Sequence, residues 1–347
     1  MVIDKCHAPY HMNHSFDDMC VKYSLDDISI VPSDSSDVCH RRECMVVDDN
    51  WKLPLFTAPM STVVNSDTLP VFEQSNVNAI LPRTEPIEVR LERSKKGWAA
   101  FSLNEFQEYF TQDKMLRSVH YVLIDIANGH MSVLRELIAL CKRRNGNVVK
   151  IMAGNVANPA TYQELSLAGA DYVRLGIGSG DSCITSTNLG VHYPMASLIK
   201  ECYEIKKSLI NEHKLNGAKI IADGGFKNYR NIIKALALGA DYVMLGRLFN
   251  ECSDSAGEIV VVDDKQMKLF CGMASCDIQK EMSKKQTVPE GIIKYNEVKG
   301  TVKEFIHDFI GYLQSAMSYC NAKDLESFIG KQKFILLSQN SSQLFDR

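Results

Sequence analysis

The residues best suited to chemistry lie in a glycine-rich stretch, residues 176–185, which reads Gly-Ile-Gly-Ser-Gly-Asp-Ser-Cys-Ile-Thr. It follows a short apolar run, residues 171–175, that has the pattern of a buried strand. Glycines let the backbone turn tightly behind such a strand and expose its peptide groups. Cys183 could therefore act as a nucleophile with Thr185 beside it, although a free cysteine is more often an inert, buried thiol.

Carboxylates and glycines follow other apolar runs of the chain. Asp125-Ile-Ala-Asn-Gly129 and Asp223-Gly-Gly225 each place a carboxylate where a strand is predicted to end. Such a carboxylate can accept the two hydroxyl groups of a ribose, while the glycines let an anion approach the backbone amides. Gly246 and Arg247 could hold a phosphate through an amide and a guanidinium. The plainer explanations are that Asp223-Gly-Gly225 is only a tight turn and that Arg247 forms a surface ion pair.

The elements that must position these residues alternate along the chain. We predict strands at 53–60, 77–81, 121–125, 148–153, 172–175, 219–223 and 242–245, and helices at 66–75, 85–99, 131–144, 159–168, 195–212, 229–238, 302–319 and 322–329. A repeated sequence, Gly-Ala-Asp-Tyr-Val at 169–173 and 239–243, supports a repeated strand-helix unit. Functional residues at several strand ends favour a single (β/α)8 TIM barrel over a doubly wound sheet, which would gather its site at one switch point.

We expect this barrel to span residues 1–347 as one domain, with an N-terminal arm at residues 1–20. Residues 258–300 are predicted to form a hairpin followed by a polar flap over the site. Glu290 on this flap is a candidate acid or base, although a solvated loop carboxylate is the more ordinary explanation.

The composition excludes several classes of protein. The chain has 347 residues, of which 45% are hydrophobic and 23% charged, and its net charge is −3. It contains no long basic run and no apolar run near ~20 residues, so we expect neither a nucleic-acid partner nor a membrane span. The first residues lack the apolar core of a signal peptide, which favours a cytoplasmic location. Eleven scattered cysteines argue against a disulfide framework and predict mostly reduced thiols.

Taken together, the motifs resemble the IMP dehydrogenase/GMP reductase family over residues 23–334. The resemblance depends on Ala58-Pro-Met-Ser-Thr62, Asp125-Ile-Ala-Asn-Gly129, Met152-Ala-Gly-Asn-Val156, residues 176–185, Asp223-Gly-Gly225, Cys271-Gly-Met273 and Glu290-Gly291. It implies a TIM barrel, here with no room for the inserted regulatory (CBS-type) domain that dehydrogenases usually carry.

Within the family the resemblance favours GMP reductase. Residues 125–129 and 190–194 are similar to the reductase versions, and the flap lacks the Arg-Tyr pair that dehydrogenases need. Residues 178–180 and 183–185 are instead similar to the corresponding dehydrogenase sequence. The resemblance implies NADPH-dependent reductive deamination of GMP to IMP. The alternatives are oxidation of IMP with NAD, an altered purine substrate, or a non-catalytic nucleotide-binding role.

The resemblance also implies individual roles. Cys183 would attack C2 of the purine to form a thioimidate, and Thr185 and Glu290 would act as the acid/base pair. The implied substrate contacts are Asp181, Asp223, Gly224, Gly225, Gly246, Arg247, Gly272, Met273 and Gly291, and the implied cofactor contacts are Asp125, Ile126, Ala127, Ile177, Gly178 and Ser315. The carbonyls of Gly178, Gly180 and Cys183 would bind K⁺, and the protein would be a cytoplasmic homotetramer.

The chain departs from the family pattern around the phosphate. Asp181 replaces a phosphate-binding serine, Arg247 stands where the family has glycine or serine, and Cys271 replaces a tyrosine. A carboxylate facing a phosphate dianion is repulsive. Either Arg247 neutralises Asp181 and holds the phosphate in a new way, or the substrate is not the usual monophosphate.

Overall fold

The computed structural model of the chain describes residues 20–112, 116–181, 185–212, 217–271, 293–338 and 340–341. The strands are β1 (Ile28–Val31), β2 (Leu55–Thr57), β3 (Trp98–Phe101), β4 (His120–Asp125), β5 (Val149–Val156), β6 (Tyr172–Leu175), β7 (Lys219–Asp223), β8 (Tyr242–Leu245), β9 (Ile259–Val262), β10 (Lys265–Cys271), β11 (Ile293–Glu297) and β12 (Lys333–Leu336). The α-helices are α1 (Leu69–Gln74), α2 (Ile87–Ser94), α3 (Leu103–Phe110), α4 (Ser132–Asn145), α5 (Pro159–Ala168), α6 (Thr185–Leu189), α7 (Met195–Asn211), α8 (Tyr229–Leu238), α9 (Arg247–Asn250), α10 (Val302–Tyr319) and α11 (Leu325–Phe328).

A parallel sheet of seven strands forms the centre of the molecule, in the order β2-β8-β7-β6-β5-β4-β3. Residues 78–81 join its two edges, because the Asn78 amide donates to Leu55 on β2 and the Leu81 amide donates to Trp98 on β3. This irregular eighth segment closes the sheet, and Phe56, Trp98 and Tyr242 pack together inside it. A second apolar layer lies between the sheet and the helices. The predicted TIM-barrel fold is confirmed.

The repeated Gly-Ala-Asp-Tyr-Val sequence has the same structural role in both copies. Each glycine follows the last residue of a helix at positive φ, which suits a residue without a Cβ. Each aspartate then accepts hydrogen bonds from an amide of the preceding strand and from a lysine of the helix before that strand. These bonds run from Ile151 and Lys142 to Asp171 and from Ile220 and Lys206 to Asp241, at 2.6–2.7 Å. The repeat therefore fixes where β6 and β8 begin.

The predicted helix over residues 85–99 is wrong at its C-terminal end. Helix α2 ends at Ser94, and residues 98–101 form β3, which is buried on both faces. The sequence Trp-Ala-Ala-Phe is short and has no β-branched residue, so it lacks the pattern of a strand. Its pairing with β4 overrides its local preference.

Glu105 joins α2 to the N-terminus of α3. Arg90 donates to both of its carboxylate oxygens at 2.7 and 3.1 Å, and the Ser102 amide donates to Oε2 at 2.7 Å. Burial alone would raise the pKa of Glu105, but these hydrogen bonds and the charge of Arg90 lower it to about 2.

Glu105→Gln should therefore remove a pH-dependent part of the stability. The folded-state pKa lies below the unfolded value of 4.5, so the carboxylate stabilises the fold fully above pH 4.5 and loses this effect as the pH falls towards 2. Urea unfolding should show a loss of about 1–3 kcal/mol in the variant at pH 6 and a smaller loss at pH 3. Equal losses at both pH values would contradict this assignment.

A three-stranded antiparallel sheet, β9-β10-β11, lies beside the carboxyl end of β8. Asn250, which ends α9, holds it there: its Nδ2 donates to the carbonyls of Thr62 and Leu269, and its Oδ1 accepts from Asn296 at 2.9 Å. Residues 272–292, which include the predicted flap and Glu290, lie outside the described residues.

Two further expectations concern the membrane and the thiols. Among the described residues, no helix is long and apolar enough to cross a membrane. Seven cysteines in the same part of the chain are free thiols, and six of them are buried. Cys20, in contrast, is disulfide-bonded.

Candidate active site

Two carboxylates lie at the rim of the barrel and share one guanidinium. Asp125 ends β4 and Asp223 ends β7, while Arg174 projects from β6 between them. Arg174 Nη1 lies 2.7 Å from Asp125 Oδ1, and its Nε lies 2.9 Å from Asp223 Oδ2. Burial alone would lower the pKa of Arg174, but the charges of Asp223 and Asp125 raise it above its ordinary value. The guanidinium therefore stays charged and sets the separation of the two carboxylates.

Each carboxylate is anchored mainly through one oxygen. Asn155 Nδ2 donates to Asp223 Oδ2 at 2.7 Å, whereas Asp223 Oδ1 makes no hydrogen bond to a described residue. Asp125 Oδ2 lies 4.0 Å from Nη1 of Arg83, which is beyond hydrogen-bond distance. Both carboxylates therefore keep an oxygen that can accept hydrogen bonds from a ligand, such as the hydroxyl groups of a sugar.

The glycine-rich loop after β6 packs against the end of β7. Gly176 has a φ of +127°, and a Cβ there would overlap the carbonyl oxygen of Asp223. Ser179 Oγ donates to that same carbonyl at 3.1 Å. A Cβ on Gly224 would lie 2.9 Å from the amide nitrogen of Gly180, so the two loops are in close backbone contact. The absence of side chains at these glycines is what allows the loops to meet.

Gly176→Ala should therefore destabilise the protein strongly. The substitution combines an unfavourable φ with an overlap against backbone, and we expect a loss of about 2–4 kcal/mol in chemical unfolding. Gly190→Ala is the matched control, because Gly190 also has a positive φ, +68°, but a Cβ there would have no neighbour within 4 Å. Equal losses in the two variants would mean that the close approach to Asp223 does not matter.

The same loop accepts hydrogen bonds from two residues that follow it in the chain. Ser186 Oγ donates to the carbonyl of Gly178 at 2.8 Å, and His192 Nδ1 donates to the carbonyl of Ile177 at 3.0 Å. Thr185 is the first residue of α6 and is buried. The Gly178 carbonyl keeps a second lone pair, as one ligand of a monovalent cation would require.

A cluster of charged side chains closes the rim on the β8 side. Arg247, the first residue of α9, has its Nη1 3.8 Å from Asp181 Oδ1. Lys294 of β11 donates to the Asp181 carbonyl at 2.6 Å, and its Nζ lies 3.5 Å from Asp181 Oδ2. Asp181 thus lies between two cations that come from different elements.

The structure places most of the candidate residues on this rim. The rim carries Asp125, Ile126, Ala127, Ile177, Gly178, Gly180, Asp181, Thr185, Asp223, Gly224, Gly225, Gly246 and Arg247. Ser315 is not among them: it lies on α10, where its carbonyl accepts from Ser318 Oγ. Cys183, Gly272, Met273, Glu290 and Gly291 lie outside the described residues.

Four residues that contribute to the rim had no predicted role, although one of them, Asn155, belongs to the motif at residues 152–156. These are Arg83, Asn155, Arg174 and Lys294. Arg174 was detectable, because a lone charge within an apolar strand needs a buried partner. Nothing in the sequence marked Lys294, because its neighbourhood depends on how β11 docks.

Comparisons with known proteins agree with this arrangement. A family model described as the IMP dehydrogenase / GMP reductase domain matches residues 22–343. GMP reductase of Ascaris suum is 33% identical over 250 residues, which cover 71% of this chain and 68% of that protein. GMP reductase 2 of Mus musculus is 35% identical over 230 residues, covering 65% of this chain and 64% of that protein. Inosine-5'-monophosphate dehydrogenase of Bacillus subtilis is 36% identical over 230 residues, covering 64% of this chain and 45% of that protein.

These matches span between about half and two thirds of each relative's length. The family model, in contrast, spans nearly the whole chain, including every strand of the barrel. The chain therefore belongs to the IMP dehydrogenase/GMP reductase family.

Proposed function

We propose that the protein is a purine nucleotide oxidoreductase that reductively deaminates GMP to IMP with NADPH. The observation that carries this proposal is the pair of strand-end carboxylates, Asp125 and Asp223, held by the single guanidinium of Arg174. Two such carboxylates can hold two ribosyl ligands side by side, one belonging to the substrate and the other to the dinucleotide. The names of the matching reductases support the same reaction class.

In this mechanism Cys183 attacks C2 of the guanine ring and forms a C–S bond, and the 2-amino group leaves as ammonia. Thr185 and Glu290 deliver the proton that the leaving amine needs. NADPH, held at Asp125, Ile126 and Ala127, would supply the hydride that C2 takes up. The C–S bond then breaks, Cys183 regains its thiolate, and IMP is released.

The ligand contacts come from the strand ends. Asp223 holds the substrate ribose, and the cofactor side is lined by Asp125, Ile126, Ala127, Ile177 and Gly178.

The reductive direction is supported by the early part of the barrel. The connection from β2 to β3 covers residues 58–97 and holds two short helices and the bridging segment 78–81. It contains no inserted domain of the kind that dehydrogenases usually carry. Oxidation of IMP with NAD is the second candidate, because matching dehydrogenases reach the same level of identity as the reductases.

An absorbance assay at 340 nm tests the proposal. The purified full chain should oxidise NADPH when GMP is added and should release ammonia and IMP in equal amounts. The same preparation with IMP and NAD measures the opposite direction. Reduction of NAD with IMP, without oxidation of NADPH by GMP, would establish the dehydrogenase activity instead. Repeating the assay with K⁺ replaced by Na⁺ tests the proposed cation requirement.

A further inference from the structure

Asp181, Arg247 and Lys294 form an ion-pair cluster, called here the Asp181 cluster, in which one carboxylate faces two cations. Arg247 and Lys294 both lie within 3.8 Å of the Asp181 carboxylate oxygens, so two positive charges face one negative charge. Arg247 lies beyond hydrogen-bond distance of the carboxylate, and Lys294 makes only a long hydrogen bond of 3.5 Å to its Oδ2. Lys294 also donates to the Asp181 carbonyl.

Arg247 is incompletely satisfied in this arrangement. Its Nη2 donates to the Lys227 carbonyl at 3.3 Å, and its buried Nε makes no hydrogen bond to any residue that the structure describes. Glu251 lies 3.5 Å from that Nε, but Glu251 also pairs with Lys299 at 3.1 Å. A guanidinium with donors to spare can take up another anion without first losing strong bonds.

The position of Lys294 on β11 directs its side chain towards the rim of the barrel. Residues alternate along β11, so that Lys294 and Asn296 are half-buried while Ile293, Tyr295 and Glu297 are exposed. Asn296 bonds to Asn250 at the end of α9, which identifies this face as the one turned towards the barrel. The register pairs Lys294 with the buried Phe270 of β10. Lys294 therefore lies on the face turned towards the barrel, and its side chain is 39% exposed.

We propose that Arg247 and Lys294 together bind the 5′-phosphate of the substrate, and that Asp181 is a built-in counter-ion that keeps the two cations together when no phosphate is bound. This inference rests on the proposed function, which places the substrate ribose on Asp223. The turn at Gly224 and Gly225 leads from Asp223 towards Gly180, the residue before Asp181. A group attached to that ribose thus lies next to the cluster.

The net charge of the cluster determines whether it prefers a 5′-phosphate or a 5′-hydroxyl on the substrate. A phosphate dianion adds two negative charges to a cluster that has one positive charge in excess, whereas a neutral hydroxyl gains little from either cation. Asp181 opposes the dianion, so the site binds phosphate less tightly than its two cations alone would. The result is selectivity for a monophosphate over a nucleoside that depends on Arg247 and Lys294.

Isothermal titration of the full chain with GMP and with guanosine tests this assignment without requiring turnover. We expect wild type to bind GMP at least about 100-fold more tightly than guanosine. Arg247→Met and Lys294→Met should each weaken GMP binding by about 10-fold or more and leave guanosine unchanged. Asp181→Asn should tighten GMP binding by a few fold. Lys265→Met is the matched control, because Lys265 lies in the same sheet but pairs with Glu297 in solvent.

Circular dichroism spectra like that of wild type would show that each variant is folded, and Lys294→Gln provides a milder second variant. Equal affinity for GMP and guanosine, or equal weakening of both ligands in the Arg247 and Lys294 variants, would overturn the assignment. Tighter binding of guanosine than of GMP, lost in Asp181→Asn, would overturn it in favour of a nucleoside whose 5′-hydroxyl donates to Asp181. The expected binding pattern without NADPH oxidation would support the phosphate site and reject the proposed reaction.

Discussion

Cys183→Ala should abolish NADPH oxidation by GMP, with kcat falling by at least about 10⁴-fold. The reason is that the proposed route has no step that avoids the C–S bond: without the thiolate, the amino group has no means of leaving and C2 is not activated for hydride. Binding should survive, because the ribose and phosphate contacts of the proposal belong to other residues. The expected signature is therefore a lost kcat with GMP affinity close to that of wild type.

Cys39→Ala is the matched control for that experiment, because Cys39 is an exposed free thiol in the segment before β2. Its activity should equal that of wild type. Peptide mapping after alkylation gives an independent measurement: GMP should protect Cys183 and leave Cys39 reactive. Turnover by Cys183→Ala above one hundredth of the wild-type rate, a limit set by the expected loss of about 10⁴-fold, would exclude the covalent mechanism.

Arg174→Met should be the most destabilising change on the rim, lowering the free energy of unfolding by about 3–5 kcal/mol. The side chains of Asp125 and Asp223 are only 10% and 14% exposed. Removing the shared guanidinium leaves both carboxylates buried without their main cation, so each must either be protonated or move towards water. Any movement also displaces the groups proposed to hold the two riboses, and we expect kcat/KM to fall by roughly 10²-fold.

Two further variants show whether this role depends on charge or on the shape of the guanidinium. Arg174→Lys keeps the charge but cannot reach both carboxylates with a planar fork, so it should recover only part of the stability. Lys150→Met on the neighbouring β5 removes a more exposed ion pair with Asp171, 3.5 Å long, and should cost less than about 1 kcal/mol. Similar losses in Arg174→Met and Lys150→Met would contradict a special role for the shared guanidinium.

The local apolar pattern was sufficient to predict the helices and strands whose residue preferences agree with the structure they adopt. Helices over 159–168 and 229–238 and strands over 172–175, 219–223 and 242–245 lie where the sequence predicts them. Their apolar spacing and their glycine ends act within a few residues, so no distant contact is needed to specify them. Strand β3 is different, because Trp-Ala-Ala-Phe becomes a strand through its pairing with β4 on one side and with Leu81 on the other.

The sequence by itself determined which residues follow the strands, and hence that Asp125, Asp223 and residues 176–181 belong to one rim. It did so because parallel strands end on the same side of a sheet, whatever the packing around them. Only the tertiary structure decided which charges meet. Arg174 links two carboxylates that are 98 residues apart in the chain, and Lys294 reaches Asp181 across 113 residues. Such pairings depend on how the strands align and how β11 docks, and no local pattern encodes those distances.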